Sequence, residues 1–323
     1  FFICLAGMRW LLVWAALAAA GPLAKFGYVP EWGFGLNWPA VSKIMTHVIL
    51  FSVEVAPSGD LTAQDRLPKG DIASQIQEAR SAAGMKVLFC VGGAGRSAGF
   101  SAMVSKPASR ARFAEAVAEV LKANEWDGVD LDWEAPGSMD DWGGFGKLVS
   151  ELRAALPEVI ITMPFHPGQE PAFSMPNLKE AGMLKALDYA HSMVYDQPDE
   201  NGRHSSRRHA SSMIKAWKRQ GHPLEKMTLG IPFYGRGRAN FGDVKRFREL
   251  YGDYPSMNVT KDAVDDYSYN GHATVKWKVA AAAKTGLGGV MVWELSQDLN
   301  AGEGDALINA LAGGEEATGK EEL

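Results

Sequence analysis

The segment Asp127-Gly128-Val129-Asp130-Leu131-Asp132-Trp133-Glu134 sets acids among apolar residues at a spacing that could do chemistry. Read as a strand, it alternates its side chains between two faces. Asp130, Asp132 and Glu134 then share one face, and Val129, Leu131 and Trp133 share the other. Acids stacked on a buried face are costly, because like charges in low dielectric cannot all stay ionised. Stacking also pushes their pKa values apart, which keeps one carboxylic acid protonated near neutral pH as a general acid. Glu134, at the strand end, is placed to donate a proton to a leaving group. Asp132 can share that proton and later carry negative charge, and Asp130, the deepest, orients Asp132. An edge strand with solvated acids is the bland alternative, and the apolar opposite face disfavours it. A metal site is the competing chemistry, but no His joins the acids on this strand. Neither a metal nor a cofactor is therefore expected.

Such a strand needs neighbours that hold both its faces. Short apolar or β-branched runs recur at Phe26–Val29, His47–Val53, Lys86–Val91, Gly128–Trp133, Val159–Met163, Tyr189–Tyr195, Met227–Phe233 and Gly289–Trp293. Stretches of helical period lie between most of them: Ile72–Ala83, Ser109–Ala123, Phe145–Leu156, Ala210–Arg219 and Val275–Lys284. Gly84, Pro157 and Gly286-Leu287-Gly288 punctuate the joins. Runs apolar on both faces suit parallel strands covered by helices. The alternation predicts an α/β fold, a single-domain (β/α)8 TIM barrel, with an open doubly wound sheet as runner-up. No Gly-x-Gly-x-x-Gly follows the first run, which argues against a dinucleotide fold. In a barrel the chemistry lies at the C-terminal strand ends.

Composition narrows the partners. The 323 residues are 46% hydrophobic and 22% charged, an ordinary globular mix. The net charge is −5 and no Lys/Arg run exceeds two residues, so no nucleic-acid partner held through phosphates is expected. Cys4 and Cys90 are too few for a disulfide framework.

Asp127-x-x-Asp130-x-Asp132-x-Glu134 resembles the signature of the family-18 glycoside hydrolases, which include chitinases. Other strands carry matching motifs in order. Gly27-Tyr28-x-x-x-Trp32 resembles the family's first-strand motif and Cys90-Val91-Gly92-Gly93 its third-strand Ser-x-Gly-Gly. Met193-Val194-Tyr195-Asp196 resembles the sixth, Gly230-Ile231-Pro232-Phe233-Tyr234-Gly235-Arg236 the seventh, and Gly288-Gly289-Val290-Met291-Val292-Trp293 the eighth. The resemblance implies a chitinase that cleaves β-1,4-N-acetylglucosamine linkages with retention, using the substrate's own acetamido oxygen as nucleophile. It implies Glu134 as acid and then base, Asp132 as the partner of the acetamido N–H, and Asp130 as its support. It implies Tyr195 as donor to the acetamido oxygen, Asp196 as its orienter, and Trp293 as the floor beneath the sugar. Tyr28, Trp32, Tyr234 and Arg236 are implied as cleft-lining residues, with Trp133 beside the acid. The implied partners are chitin or N-acetylglucosamine oligosaccharides, met by a monomer. Two alternatives stay open: an endo-β-N-acetylglucosaminidase of N-glycan cores, and a chitinase-like lectin that binds without cutting.

Two positions depart from the family pattern. Cys90 stands where the family usually has Ser, and a thiol is the weaker donor. Ala135 stands where an aromatic residue usually follows the catalytic Glu. The interval from Gly237 to Trp277 is too short for the separate α+β domain some members insert there. Helix and a hairpin over Asp265 to Gly271 are expected instead, leaving an open cleft suited to internal cleavage.

The two ends read as addresses. Met8-Arg9, the apolar Leu11 to Leu17 and the small residues Ala18-Ala19-Ala20 resemble a signal peptide over residues 1–24, with Ala24 as a second cleavage position. Cleavage would take away Cys4 and any membrane association of this segment. The catalytic domain is expected over 25–312 and a flexible acidic tail over 313–323. Its closing Lys320-Glu321-Glu322-Leu323 resembles an endoplasmic-reticulum retention signal. The expected location is the secretory pathway, outside the cell or in that lumen.

Overall fold

The computed structural model describes residues 23–134, 136–167 and 175–313, with nothing said of the side chains of 175–177. All eight apolar runs are strands: β1 (Ala24–Pro30), β2 (His47–Val55), β3 (Lys86–Gly92), β4 (Gly128–Asp132), β5 (Ile160–Phe165), β6 (Tyr189–Ser192), β7 (Met227–Pro232) and β8 (Gly289–Trp293). Each pairs in parallel with the next, and β8 pairs with β1, as Ala24 opposite Gly289 illustrates. The sheet therefore closes on itself. Closure removes the open doubly wound alternative and leaves a (β/α)8 barrel as one domain.

Period-2 alternation splits each strand between two cores. Phe26, Tyr28, Ile49, Leu88, Cys90 and Met291 point into the barrel. Val48, Leu50, Val87, Phe89, Leu131 and Val292 point outward into the larger layer under the helices. Each such side chain, removed from water, contributes on the order of 1.5–3 kcal/mol, which the ordering entropy largely offsets.

The helices lie at Gly70–Ala83, Pro107–Asn124, Met139–Ala155, Arg207–Gln220 and His272–Thr285. Ser206 caps the fourth, accepting from the His209 amide at 3.2 Å, and Gly221 ends it in the left-handed conformation. The third reaches back to Met139, where the sequence periodicity began only at Phe145. Gly143 and Gly144 hide the period, yet Gly144 is needed: a Cβ there would lie 2.8 Å from Val104 Cγ2.

Between β7 and β8 the chain makes more than the helix and hairpin expected. Tyr234–Gly237, Val244–Arg246, Ala263–Val264 and Tyr267–Ser268 form a four-stranded antiparallel sheet, with the helix Phe247–Asp253. Phe247 and Leu250 are buried in the main core, so the insertion belongs to the barrel domain. Asp265-Asp266 is the turn of its hairpin.

The leader lies outside the described residues up to residue 22, as does the tail from residue 314; Ala135 also lies outside them. β1 already includes Ala24, so cleavage at Ala18 to Ala20 leaves that strand whole, whereas cleavage after Ala24 does not. Among the described residues no helix is long and apolar enough to cross a membrane.

Candidate active site

β4 turns Asp130, Asp132 and Glu134 toward the barrel axis and packs Val129, Leu131 and Trp133 against the helices. Asp130 is fully buried. Tyr28 Oη donates to its Oδ2 at 2.8 Å and Thr162 Oγ1 to its Oδ1 at 2.6 Å. Burial lifts its pKa to about 6, opposed by these two hydroxyls and the Cys90 thiol.

Asp132 lies one step nearer the mouth and is also buried. Burial raises its pKa well above the usual carboxylate range, and the charges of Glu134 and Asp130 add to that. Its Oδ1 has no hydrogen-bond partner among the described residues. Its backbone is fixed from β3: the Gly93 amide donates to the Asp132 carbonyl at 2.7 Å and Ser97 Oγ at 3.1 Å. Gly93, at φ 103°, is required for this approach, since a Cβ would sit 2.3 Å from the Phe51 ring. Glu134 is half-buried, and burial raises its carboxyl as well. It opens into a narrow cavity shared with Asp132, Trp142, His166 and Met193.

Tyr195 and Asp196 follow the end of β6. Burial pushes the Tyr195 phenol well up, and the acids Asp196, Asp132 and Glu134 push it further, so it stays a donor. Among the described residues its hydroxyl meets only the Met291 sulfur, at 3.9 Å, a weak acceptor. Asp196 adopts φ 60°, a strained choice for a residue with a Cβ that Asp tolerates better than most. Arg236 forks onto its carboxylate at 2.5 and 2.7 Å, Tyr234 Oη donates at 2.8 Å, and His204 Nδ1 lies at 3.3 Å. Burial would raise the Asp196 pKa, but bonds from His204, Arg236 and Tyr234 outweigh it and hold the carboxyl well below its usual range.

An aromatic series runs along the opposite rim. Trp293 is half-buried, with its ring 5.0 Å from Phe51 and 5.3 Å from Tyr28. Trp32 is 58% exposed, with its ring 6.4 Å from Phe51. Arg96 lies over both Trp32 and Phe51 and pairs with Glu31 at 2.6 Å.

The structure thus gathers Asp130, Asp132, Glu134, Tyr195, Asp196 and Trp293 at the strand ends. It places two of the expected lining residues as buried supports instead. Tyr28 is only 1% exposed and holds Asp130 from below, and Tyr234, 4% exposed, holds Asp196. Trp133 is stacked on Phe100 at 5.2 Å in the strand–helix layer and also borders the cavity into which Glu134 opens, beside the acid as expected. Arg236 is spent on Asp196, which leaves Trp32 and Trp293 as the open aromatic surfaces. Sequence reading passed over Thr162, Phe51, Arg96, Trp142 and His204. Thr162 was within reach of it, since a lone Thr at an inward position of β5 opposite Asp130 is an evident donor.

Comparison with known proteins agrees with the fold. The model of the glycosyl hydrolases family 18 matches residues 25–298. A chitinase-like effector of Moniliophthora roreri is 28% identical over 68% of this chain and 60% of its own length. An endochitinase of Manduca sexta is 30% identical over 49% of this chain and 34% of its own length, so the match spans well under two thirds of these relatives. The crystal structure of the GH18 chitinase ChiB from Flavobacterium johnsoniae superposes with a TM-score of 0.73 at 25% identity, covering 90% of this chain and 93% of that one. With the family model matching residues 25–298 and the sheet closed as an eight-stranded parallel barrel, the chain belongs to glycosyl hydrolase family 18.

Proposed function

We propose that the protein is an endo-acting chitinase that hydrolyses β-1,4-N-acetylglucosamine linkages with retention, by substrate assistance. The observation that carries this reading is the buried, unpartnered Oδ1 of Asp132 beneath Glu134. A buried carboxylate oxygen without a donor is rare, and an acetamido N–H supplies one. The high phenol pKa of Tyr195 and its poor acceptor in Met291 leave its hydroxyl free to turn to the acetamido oxygen. That oxygen then attacks the anomeric carbon as Glu134 gives its proton to the departing glycosidic oxygen. The C–O bond breaks and a cyclic oxazolinium forms, its N–H held by the Asp132 carboxylate. Water, deprotonated by Glu134, opens the ring from the opposite face, and two inversions give net retention. Trp293 and Trp32 offer flat apolar surfaces for sugar rings. The modest β7–β8 insertion leaves the cleft open to internal positions of a chain. A secretory route belongs to the same proposal and rests on residues 8–20 alone; N-terminal sequencing of the mature protein tests it.

Hydrolysis of chitotetraose beside a high-mannose glycopeptide and cellotetraose tests the reading. Chitotetraose is cleaved, with the β-anomer formed first, and Glu134→Gln loses at least ~10²-fold of the rate. Cleavage of the glycopeptide alone would make the protein an endo-β-N-acetylglucosaminidase of N-glycans. Binding of chitotetraose without cleavage would make it a lectin. Efficient cleavage of cellotetraose, or a variant keeping more than a tenth of the rate, would refute the mechanism.

A further inference from the structure

Lys278 is fully buried, in the helix His272–Thr285 that covers β7 and β8. Among the described residues no carboxylate pairs with it. Its Nζ donates to Ser205 Oγ at 2.7 Å and to the Gly230 carbonyl at 3.0 Å. Burial draws its pKa down to about 7, with Asp262 as the opposing charge. His204 and His209 also face it, and burial keeps both below the usual imidazole range. Holding an ammonium here costs several kcal/mol, which its hydrogen bonds to two neutral acceptors offset only in part.

Both acceptors of Lys278 adjoin the reacting groups. Ser205 Oγ in turn donates a hydrogen bond to the Val194 carbonyl at 2.6 Å, and Val194 immediately precedes Tyr195. Ser205 also follows His204, which touches Asp196. On the other side, the Gly230 backbone lies under the Tyr195 ring, where a Cβ would come 2.9 Å from Cε1. The segment from Met193 to Asp196 has left the β6 ladder, so its carbonyls need other donors. It must also hold Asp196 at positive φ, which persists only where the surroundings over-determine it.

We propose that Lys278 is a positioning residue for Tyr195 and Asp196, a buried amine whose hydrogen bonds to Ser205 and Gly230 clamp the backbone on both sides of the Tyr195 ring. This rests on the reading above, in which Tyr195 and Asp196 act on the acetamido group. Lys278 touches no substrate; its effect is on the alignment of the Tyr195 hydroxyl for attack.

Lys278→Met keeps most of the volume and removes the clamp, while Ser205→Ala removes only the link to Val194. With chitotetraose, kcat is expected to fall at least tenfold in the first and at least threefold in the second, with KM within twofold of the parent. Amide hydrogen exchange at Tyr195 and Asp196 is expected to speed up at least tenfold in Lys278→Met. A variant that is merely less heat-stable, with kcat and local exchange at parental values, overturns the proposal. Should Lys278→Met fail to fold, Ser205→Ala decides by the same two measurements. If the parent itself does not cut chitotetraose, the functional reading has failed, and the exchange comparison alone still decides the role of Lys278.

Discussion

Cys90 lies directly across the β3–β4 register from Asp130, with its thiol against the buried carboxyl. Two hydroxyls already bond that carboxyl, from Tyr28 and Thr162. The thiol is therefore the third and weakest of three donors, and burial raises its own pKa well above the usual thiol range.

Cys90→Ser supplies a stronger donor to the ionised form of Asp130, whose pKa now stands at about 6. The acidic limb of the kcat–pH profile is expected to move to lower pH by less than one unit, because two hydroxyls already dominate. KM should stay unchanged. Superimposable profiles would mean that Cys90 acts as a small apolar filler with no part in the titration.

Tyr28→Phe separates a buried support from a cleft wall. Losing the 2.8 Å bond leaves Asp130 with one hydroxyl fewer and raises its pKa further. The acidic limb is expected to move to higher pH, with kcat lowered about tenfold, roughly the 1.5 kcal/mol of one hydrogen bond to a charged group. KM for chitotetraose should hardly change, and a rise in KM with an unmoved pH profile would return Tyr28 to the cleft lining.

Arg236→Ala removes the fork that helps hold the Asp196 carboxyl low. The Asp196 pKa should rise, so the activity lost on acidification is lost at a higher pH than in the parent. Arg236→Lys keeps the charge but not the bidentate geometry and is expected to recover only part of the rate. Full recovery by Lys would show that charge alone matters, and the pH–rate profiles of both variants decide it.

His191 bears on stability rather than catalysis. It is fully buried in the barrel, with Nδ1 2.9 Å from Thr228 Oγ1 and Nε2 without a partner among the described residues. Burial lowers its pKa to about 3, so the folded protein keeps it neutral while the unfolded chain protonates below about 6.5. The unfolded state thus binds the extra proton, and stability falls as pH drops from about 6.5 toward 3. His191→Asn, which can still accept from Thr228, removes this contribution. Urea unfolding should show a loss between pH 6.5 and 4 smaller by on the order of 3 kcal/mol than in the parent. Equal slopes in the two proteins would contradict a neutral buried imidazole.

The barrel and the acid stack were legible in the residues because both depend on local periodicity. Alternation alone puts Asp130, Asp132 and Glu134 on one face, and the runs from Phe26 to Trp293 mark their strands by β-branched and apolar content. Counting strand–helix units predicted the alternation of a parallel sheet with covering helices, and the pairing of β8 with β1 then closed it. The partnerships inside the site depend instead on contacts between residues far apart in the chain. Tyr28 reaches Asp130 across 102 positions and Lys278 reaches Ser205 across 73, and no spacing encodes either. A tyrosine at the end of a strand reads the same whether its hydroxyl faces a sugar or a buried acid. Only the packed barrel brings Tyr28 onto Asp130 and Tyr234 onto Asp196 as buried supports and leaves Trp32 and Trp293 at the mouth. Strand pairing and barrel geometry are collective properties of the packed sheet, so the choice between wall and support was made by the tertiary structure.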